Sequence, residues 1–166
     1  MESATVPVNA KIDETLSISV DGGPVNLGIL SSGISTKDVT VTVEAVTDEK
    51  NYNLIVKDSD ENTGLYLGGN AATANKNVIP AKAGLTAGTT GWGVRAGTSG
   101  DWKAVTPYSD PNGTVLASGS TEDNEGKTTV QFGASYSTSD TETGTNGKLE
   151  TGDYSGAVVF IAVATD

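Results

Sequence analysis

Residues 149–164 read LETGDYSGAVVFIAVA, and this stretch decides the fold. From Ala157 to Ala164 every side chain is apolar, so an extended segment here is apolar on both faces. Antiparallel strands usually leave one face in water, so a strand of this kind requires cover on both sides. Either the rest of the domain or another subunit supplies that cover. We expect Val158 and Phe160, which share one face, to take part in subunit contact.

The residues before this strand predict how it is held. Leu149, Gly152 and Tyr154 have the spacing of a tyrosine corner, in which a Tyr hydroxyl bonds to upstream backbone and fixes the start of a core strand. This corner is typical of immunoglobulin-like sandwiches.

Composition and periodicity favour an all-β chain. The chain has 21 Gly and only 5 Pro among 166 residues, so it is rich in turns without being collagen-like. Alternating apolar and polar positions recur through most of the sequence, with no amphipathic helix. We predict a single domain over residues 1–166, an immunoglobulin-like antiparallel β-sandwich with a loop-rich middle from residue 58 to 127.

The N-terminal alternation is longer than one strand. The row of even positions from Val6 to Val20 is broken only at Glu14, and fifteen extended residues span about 50 Å, beyond the usual strand length. We predict a break near Asp13, which leaves residues 5–12 as a separable arm. The arm either pairs with a neighbouring subunit or forms an ordinary first strand of its own sheet. Its apolar face, the candidate subunit contact, consists of Val6, Val8, Ala10 and Ile12.

Three further strands follow from the same alternation. A short strand is predicted from Val25 to Leu30, after the turn that begins at Asp21. The segments Val39–Val46 and Tyr52–Val56 alternate around a polar turn and predict a hairpin.

The charge and the residue inventory exclude several functions. Asp and Glu number 21 against 10 Lys and Arg, a net charge of -11, which disfavours nucleic acid and anionic lipid as partners. No apolar stretch is long enough for a membrane span, so no membrane insertion of this segment is expected. There is no His, no Cys and one Arg, Arg95, so the usual general bases and nucleophiles are missing and we expect no enzyme. The start Met1-Glu2-Ser3 leads at once into strand pattern, which we interpret as a mature domain of a longer precursor.

Besides the candidate subunit contacts, the sequence contains two candidate ligand sites. Asp58, Asp60 and Asn62 alternate as the oxygen ligands of calcium loops do, although such residues are also common turn formers. Calcium is thus the one cofactor considered, and none is otherwise expected. The second candidate is a platform of aromatic side chains on which sugars could stack. The alternative is that these aromatic residues fill the core. The platform residues are Trp92, Trp102, Tyr66 and Tyr108.

Four segments together resemble secreted β-sandwich domains of bacterial surfaces, of the kind found in pilin-like subunits and WxL-type cell-wall proteins. They are the alternating N-terminal strand, Asn51-Tyr52-Asn53-Leu54, Gly91-Trp92-Gly93-Val94, and the closing run from Gly152 to Phe160. The closing run is the best match and covers about a tenth of the chain. The resemblance implies a secreted or cell-surface bacterial protein.

Two functional hypotheses follow. The first is a non-catalytic structural subunit or stalk domain of a bacterial cell-surface or pilus-like assembly, which contacts copies of itself or other surface proteins through its edge strands. The second is a carbohydrate-binding or adhesion module that holds glycans on exposed Trp and Tyr side chains.

Overall fold

The computed structural model describes residues 16–46, 48–71, 77–139 and 149–165. The arm predicted at residues 5–12 lies outside these ranges. Ten strands form within them. The strands are β1 (Leu16–Asp21), β2 (Ser35–Ala45), β3 (Asn51–Asp58), β4 (Leu65–Leu67), β5 (Val78–Ile79), β6 (Gly91–Ala96), β7 (Thr114–Ser120), β8 (Lys127–Ser135), β9 (Tyr154–Ser155) and β10 (Val158–Ala164).

Two antiparallel sheets face each other across one core. Sheet A has the strand order β1-β2-β8-β6, and sheet B has the order β10-β3-β7. A small third sheet, β5-β4-β9, lies beside them. The predicted all-β antiparallel sandwich is confirmed. No helix in the described ranges is long and apolar enough to cross a membrane.

The core is built from the alternating rows that the sequence contains. Val41 and Val43 of β2 are fully buried, and so are Leu54 and Val56 of β3. These rows point at each other from the two sheets because successive side chains of a strand point to opposite faces. The remaining buried core residues are Val39, Tyr52, Ile79, Trp92, Val94, Val105, Leu116, Val130, Phe132 and Ala134.

The predicted hairpin of Val39–Val46 with Tyr52–Val56 is wrong. β2 pairs with β1 and β8, whereas β3 pairs with β10 and β7, so the turn after β2 carries the chain from one sheet to the other. Alternation places an apolar row toward the core in either arrangement, and therefore does not separate a hairpin from a crossing between sheets. β2 also begins at Ser35, four residues before the predicted start.

The predicted strand from Val25 to Leu30 is also wrong, because this segment is an irregular loop. Gly28 has a φ of 73°, and its amide donates to the Asn26 side-chain oxygen at 2.9 Å, which turns the backbone. Val25, Leu27 and Leu30 still pack on the core, while Ile29 is 98% exposed. The alternation was thus a sign of core contact without a strand.

One side of the sandwich is closed by the segment 102–107. Lys103 bridges to Val94 of β6 in sheet A, and Thr106 bridges to Lys57 of β3 in sheet B. Trp102 and Val105 of this segment are buried. The loop-rich middle of the chain therefore seals the side of the sandwich opposite to β1 and β10.

Candidate assembly groove between two edge strands

The other side of the sandwich is open in the described part of the chain. β1 is the edge of sheet A and pairs there with β2, and β10 is the edge of sheet B and pairs with β3. The two edges lie side by side, but no hydrogen-bonded ladder joins them in the described residues. Within the described ranges, each therefore presents one row of backbone groups without a strand partner.

The core-facing rows of both edges remain partly in water. Ile18 and Val20 stand opposite Val43 and Val41 of β2 and share their inward face, yet they are 37% and 48% exposed. On β10, Phe160 packs on the core but is only half-buried. We call this surface the edge groove. It is lined by Leu16, Ile18 and Val20 of β1 and by Val158, Phe160 and Ala162 of β10.

The edge groove is therefore an incompletely covered core. Side chains that face the interior of a sandwich are normally buried by the opposite sheet. In this molecule the inward rows of β2 and β3 are covered, whereas those of the next strand outward on each sheet are covered only in part. One more strand on this side, with apolar residues at alternate positions, would complete the layer.

β10 has none of the usual features that protect a free edge. Natural edge strands carry charged side chains, Pro or a bulge that prevent pairing with another chain. The seven residues of β10 include no charge and no Pro, and their register with β3 is continuous from Val158 to Ala164. β10 is thus a regular, apolar template for strand addition.

The predicted tyrosine corner is confirmed and holds the start of this edge. The Tyr154 hydroxyl donates to the carbonyl oxygen of Glu150, four residues upstream, at 2.8 Å. The Asn77 side chain bonds to Glu150 from the other side, since its Nδ2 donates to Glu150 Oε2 at 3.2 Å. Burial raises the pKa of Tyr154, so the phenol stays protonated and remains a donor.

Only some of the residues predicted for subunit contact lie in the part of the chain that the structure describes. Val158 and Phe160 lie in the edge groove, on the core-facing row of β10. Val6, Val8, Ala10 and Ile12 lie outside the described residues. Their role stays a prediction from the sequence.

The four aromatic residues of the glycan platform are not brought together on an exposed surface. Trp92 and Trp102 are 3% and 7% exposed, so neither indole is free for stacking. Trp92 belongs to the core, as the core interpretation predicted, whereas the Trp102 ring lies against Gly133 on the outer face of sheet A. Trp92 Nε1 donates to the carbonyl oxygen of Thr63 at 3.0 Å, and the Arg95 guanidinium lies 4.1 Å from the Trp102 ring centroid. Of the four rings, Tyr108 is exposed, and Tyr66 is half-buried.

The calcium candidates line a polar cleft of about 320 Å³, which Tyr66 and Ser155 also line. The Asp58 carboxylate accepts the amide of Asp60 at 3.1 Å, and the Asp60 carboxylate accepts the amide of Asn62 at 2.7 Å. These are the local bonds of turn-forming residues. No group of three or more His, Cys, Asp or Glu that could hold a metal occurs in the described ranges. Calcium binding here stays a prediction.

Asp58 is the one buried carboxylate of this cleft. Its side chain is 3% exposed, and burial, followed by the neighbouring charge of Asp60, raises its pKa from 3.8 to about 6. Ionised Asp58 is thus costly to the fold near neutral pH.

Sequence reasoning missed the openness of this side. The even row that contains Ile18 and Val20 was visible in the sequence, but alternation does not report whether a strand of the other sheet covers it. The closing segment 102–107 was equally hidden, because it contacts both sheets through single bridges and not through a regular strand.

Comparisons with known proteins give one similar structure. No protein-family model matches the chain. The search of characterised proteins gives no match either. Among solved structures, the chain is similar to a chain of the chaperone-tip adhesin complex that is vital for synergistic activation of CFA/I fimbriae biogenesis, with a TM-score of 0.45 and 16% identity. The match covers 89% of this chain and 42% of the other, so the chain spans about two fifths of that protein's length. At this TM-score and identity the match carries no argument about function.

Proposed function

We propose that this protein is a non-catalytic structural subunit or stalk domain of a bacterial cell-surface or pilus-like assembly, built by strand addition at the edge groove. The partner is a second copy of the chain or another surface protein, and the place of action is the cell exterior. The observation that carries the proposal is the edge groove itself, where the core-facing rows of two adjacent edge strands stand partly in water.

The sequence of residues 5–12 has the pattern that such a groove accepts. Strand addition uses main-chain hydrogen bonds along a sheet edge and places alternate side chains in successive pockets. Val6, Val8, Ala10 and Ile12 supply four apolar side chains in alternation, while Asn9 and Lys11 between them are polar. A segment of eight residues also matches the seven residues of β10 in length.

The position of Leu16 favours donation to a neighbour. Leu16 pairs with Ala45, and Ala164 at the end of β10 pairs with Tyr52 just after the turn that follows β2. β1 therefore begins at the same end of the sandwich at which β10 finishes, and the two edge strands run in opposite directions. A subunit stacked on that end would lie nearest to Leu16, and we propose that it receives the arm.

The glycan alternative loses its support, because Trp92 and Trp102 offer no exposed ring face.

A complementation experiment with full-length protein tests the proposal. Val8→Lys places a charge in the arm, and Val20→Lys places a charge in the edge groove at a half-exposed position. Each variant alone should fail to form chains at low micromolar concentration. In a mixture, the intact arm of the Val20→Lys protein should bind the intact groove of the Val8→Lys protein, and a tag on one should capture the other.

Matched controls lie one residue away, in the opposite phase of each strand. Asn9→Lys and Ser19→Lys should assemble like the unmodified protein, since Ser19 is on the outer face of sheet A. If both blocked variants assemble normally, or if the mixture gives no more capture than two copies of the same variant, strand addition between subunits is excluded.

A further inference from the structure

The outer face of sheet B, which is turned away from the core, is unusually apolar. Ile161 of β10, Ile55 of β3 and Val115 of β7 are register partners in one row across the three strands. Val159 and Val163 extend this row along β10, on the side opposite to Phe160. None of the five packs on the core. We call Val159, Ile161, Val163, Ile55 and Val115 the outer row.

The outer row is accessible. Val163 is 44% and Val115 is 42% exposed, and the other three are half-buried. The loop at Gly113 lies against one side of Ile55, which accounts for part of its burial. An antiparallel sheet with one wet face normally carries polar side chains there, so five aliphatic side chains in one continuous group indicate a contact surface.

The outer face of sheet A shows the contrast. Its outward strand positions hold Ser, Thr, Gln, Gly and charged residues, among them Asp38, Glu44 and Lys127. In sheet B the outward positions of the strands hold one charge, Lys57, and no carboxylate. The Lys57 ammonium lies 5.7 Å from the Tyr108 ring centroid at one end of the face.

We propose that the outer row is a second interface, on which two copies of this chain pack face to face about a two-fold axis. The charge distribution favours a second copy as the occupant. With a net charge of -11, two copies repel each other wherever carboxylates meet, and the outward strand positions of sheet B contain none.

The row is also self-complementary. A two-fold axis that runs between the two copies, parallel to the row of Ile161, Ile55 and Val115, places each of these residues on its equivalent in the other copy. The same rotation exchanges the two ends of β3, so Lys57 faces Asn53 of the second copy and not another lysine. An isologous contact needs this match of one patch with itself.

The interface is small. Five aliphatic side chains bury less than the roughly 1,200 Å² of a stable complex, so we expect a weak dimer with a Kd on the order of 100 µM. This interface is independent of the edge groove, because it uses the outward row of β10 and leaves the inward row free.

Sedimentation equilibrium up to about 1 mM tests the proposal in the Val20→Lys protein, whose groove is blocked. The mass should approach that of a dimer, and Val115→Lys and Val163→Lys should each weaken the dimer at least tenfold. Thr129→Lys, an added charge on the outer face of sheet A, should leave it unchanged. A protein that stays monomeric, or a dimer that survives both substitutions in sheet B, overturns the proposal.

Cross-linking gives a second measurement that does not depend on affinity. The chain has no Cys, so Ile55→Cys in the same background carries one thiol close to the proposed axis. Packed sheets lie about 10 Å apart, which a short bis-maleimide spans. Ile55→Cys should cross-link to dimers much faster than Thr129→Cys at equal concentration. Equal rates would contradict the two-fold arrangement, whereas failure of strand addition alone would leave both measurements unaffected.

Discussion

The ring of Phe160 meets the ring of Phe132 edge to face, with centroids 6.3 Å apart and planes at 79°. This contact joins the edge strand of sheet B to β8, an inner strand of sheet A. It therefore closes the core at the bottom of the edge groove, where Phe160 is half-buried. Phe160 therefore contributes to the stability of the domain and also lines the edge groove.

Phe160→Ala should lower the free energy of unfolding by about 2 kcal/mol, less than for a fully buried Phe because the side chain is half-buried. Val163→Ala, on the outward row of the same strand, is the control and should cost less than about 1 kcal/mol. Urea unfolding followed by circular dichroism measures both. If the two substitutions cost the same, Phe160 does not close the core.

The tyrosine corner should contribute measurably to stability. Tyr154→Phe removes the bond to the Glu150 carbonyl and should lower the free energy of unfolding by about 1 kcal/mol. Tyr108→Phe serves as the control, because Tyr108 is exposed and its ring packs beneath Lys57 without needing the hydroxyl. Thermal melts that are unchanged for Tyr154→Phe would show that the corner bond does not hold β10.

Stability should depend on pH through Asp58. Its folded pKa of about 6 lies above the ordinary value of 3.8, so the folded state binds the proton more tightly than the unfolded chain does. This carboxyl therefore contributes stability below about pH 4, and the contribution is lost as the pH rises through 6. Asp58→Asn should raise the free energy of unfolding at pH 7 by about 1 to 2 kcal/mol and flatten the pH profile over this range.

Asp101→Asn, at an exposed aspartate, is the control and should leave the free energy of unfolding at pH 7 nearly unchanged. A profile in which Asp58→Asn keeps the same slope between pH 4 and 6 would show that Asp58 titrates at its ordinary pKa.

The fluorescence of the two Trp side chains should show that both are shielded from solvent. Because Trp92 and Trp102 are buried, acrylamide should quench their fluorescence only weakly in the free protein, and added cell-wall or plant polysaccharide should not change the quenching. Strong quenching that a polysaccharide suppresses would return the glycan module to consideration.

The residues that the sequence assigned correctly are those whose environment is local or strictly periodic. Tyr154 was predicted from spacing alone, and the rows of β2 and β3 from alternation. Which strands pair was not predictable from these rows. Val41 and Leu54 would face the core if β2 and β3 formed a hairpin, and they also face it when the two strands lie in different sheets. Long-range neighbours decide that choice.

For the same reason, only one side of the edge groove could be predicted from the sequence. Phe160 was recognisable as one face of an all-apolar strand, but its partner surface at Ile18 and Val20 depends on which strands end up side by side. The outer row shows the same limit. Ile55 and Val115 are out of phase with the core rows in sequence, yet only the register of β10, β3 and β7 places them beside Ile161.

The most direct measurement of strand addition uses a peptide of residues 1–12 and protein that lacks those residues. Thermal melting and amide hydrogen exchange are followed as the peptide is titrated. We predict a melting temperature that rises with occupancy and new protection of the β10 amides that do not pair with β3. A peptide with Val6, Val8, Ala10 and Ile12 moved to the odd positions should have little effect. Equal effects of the two peptides, or none from either, would contradict the assembly account.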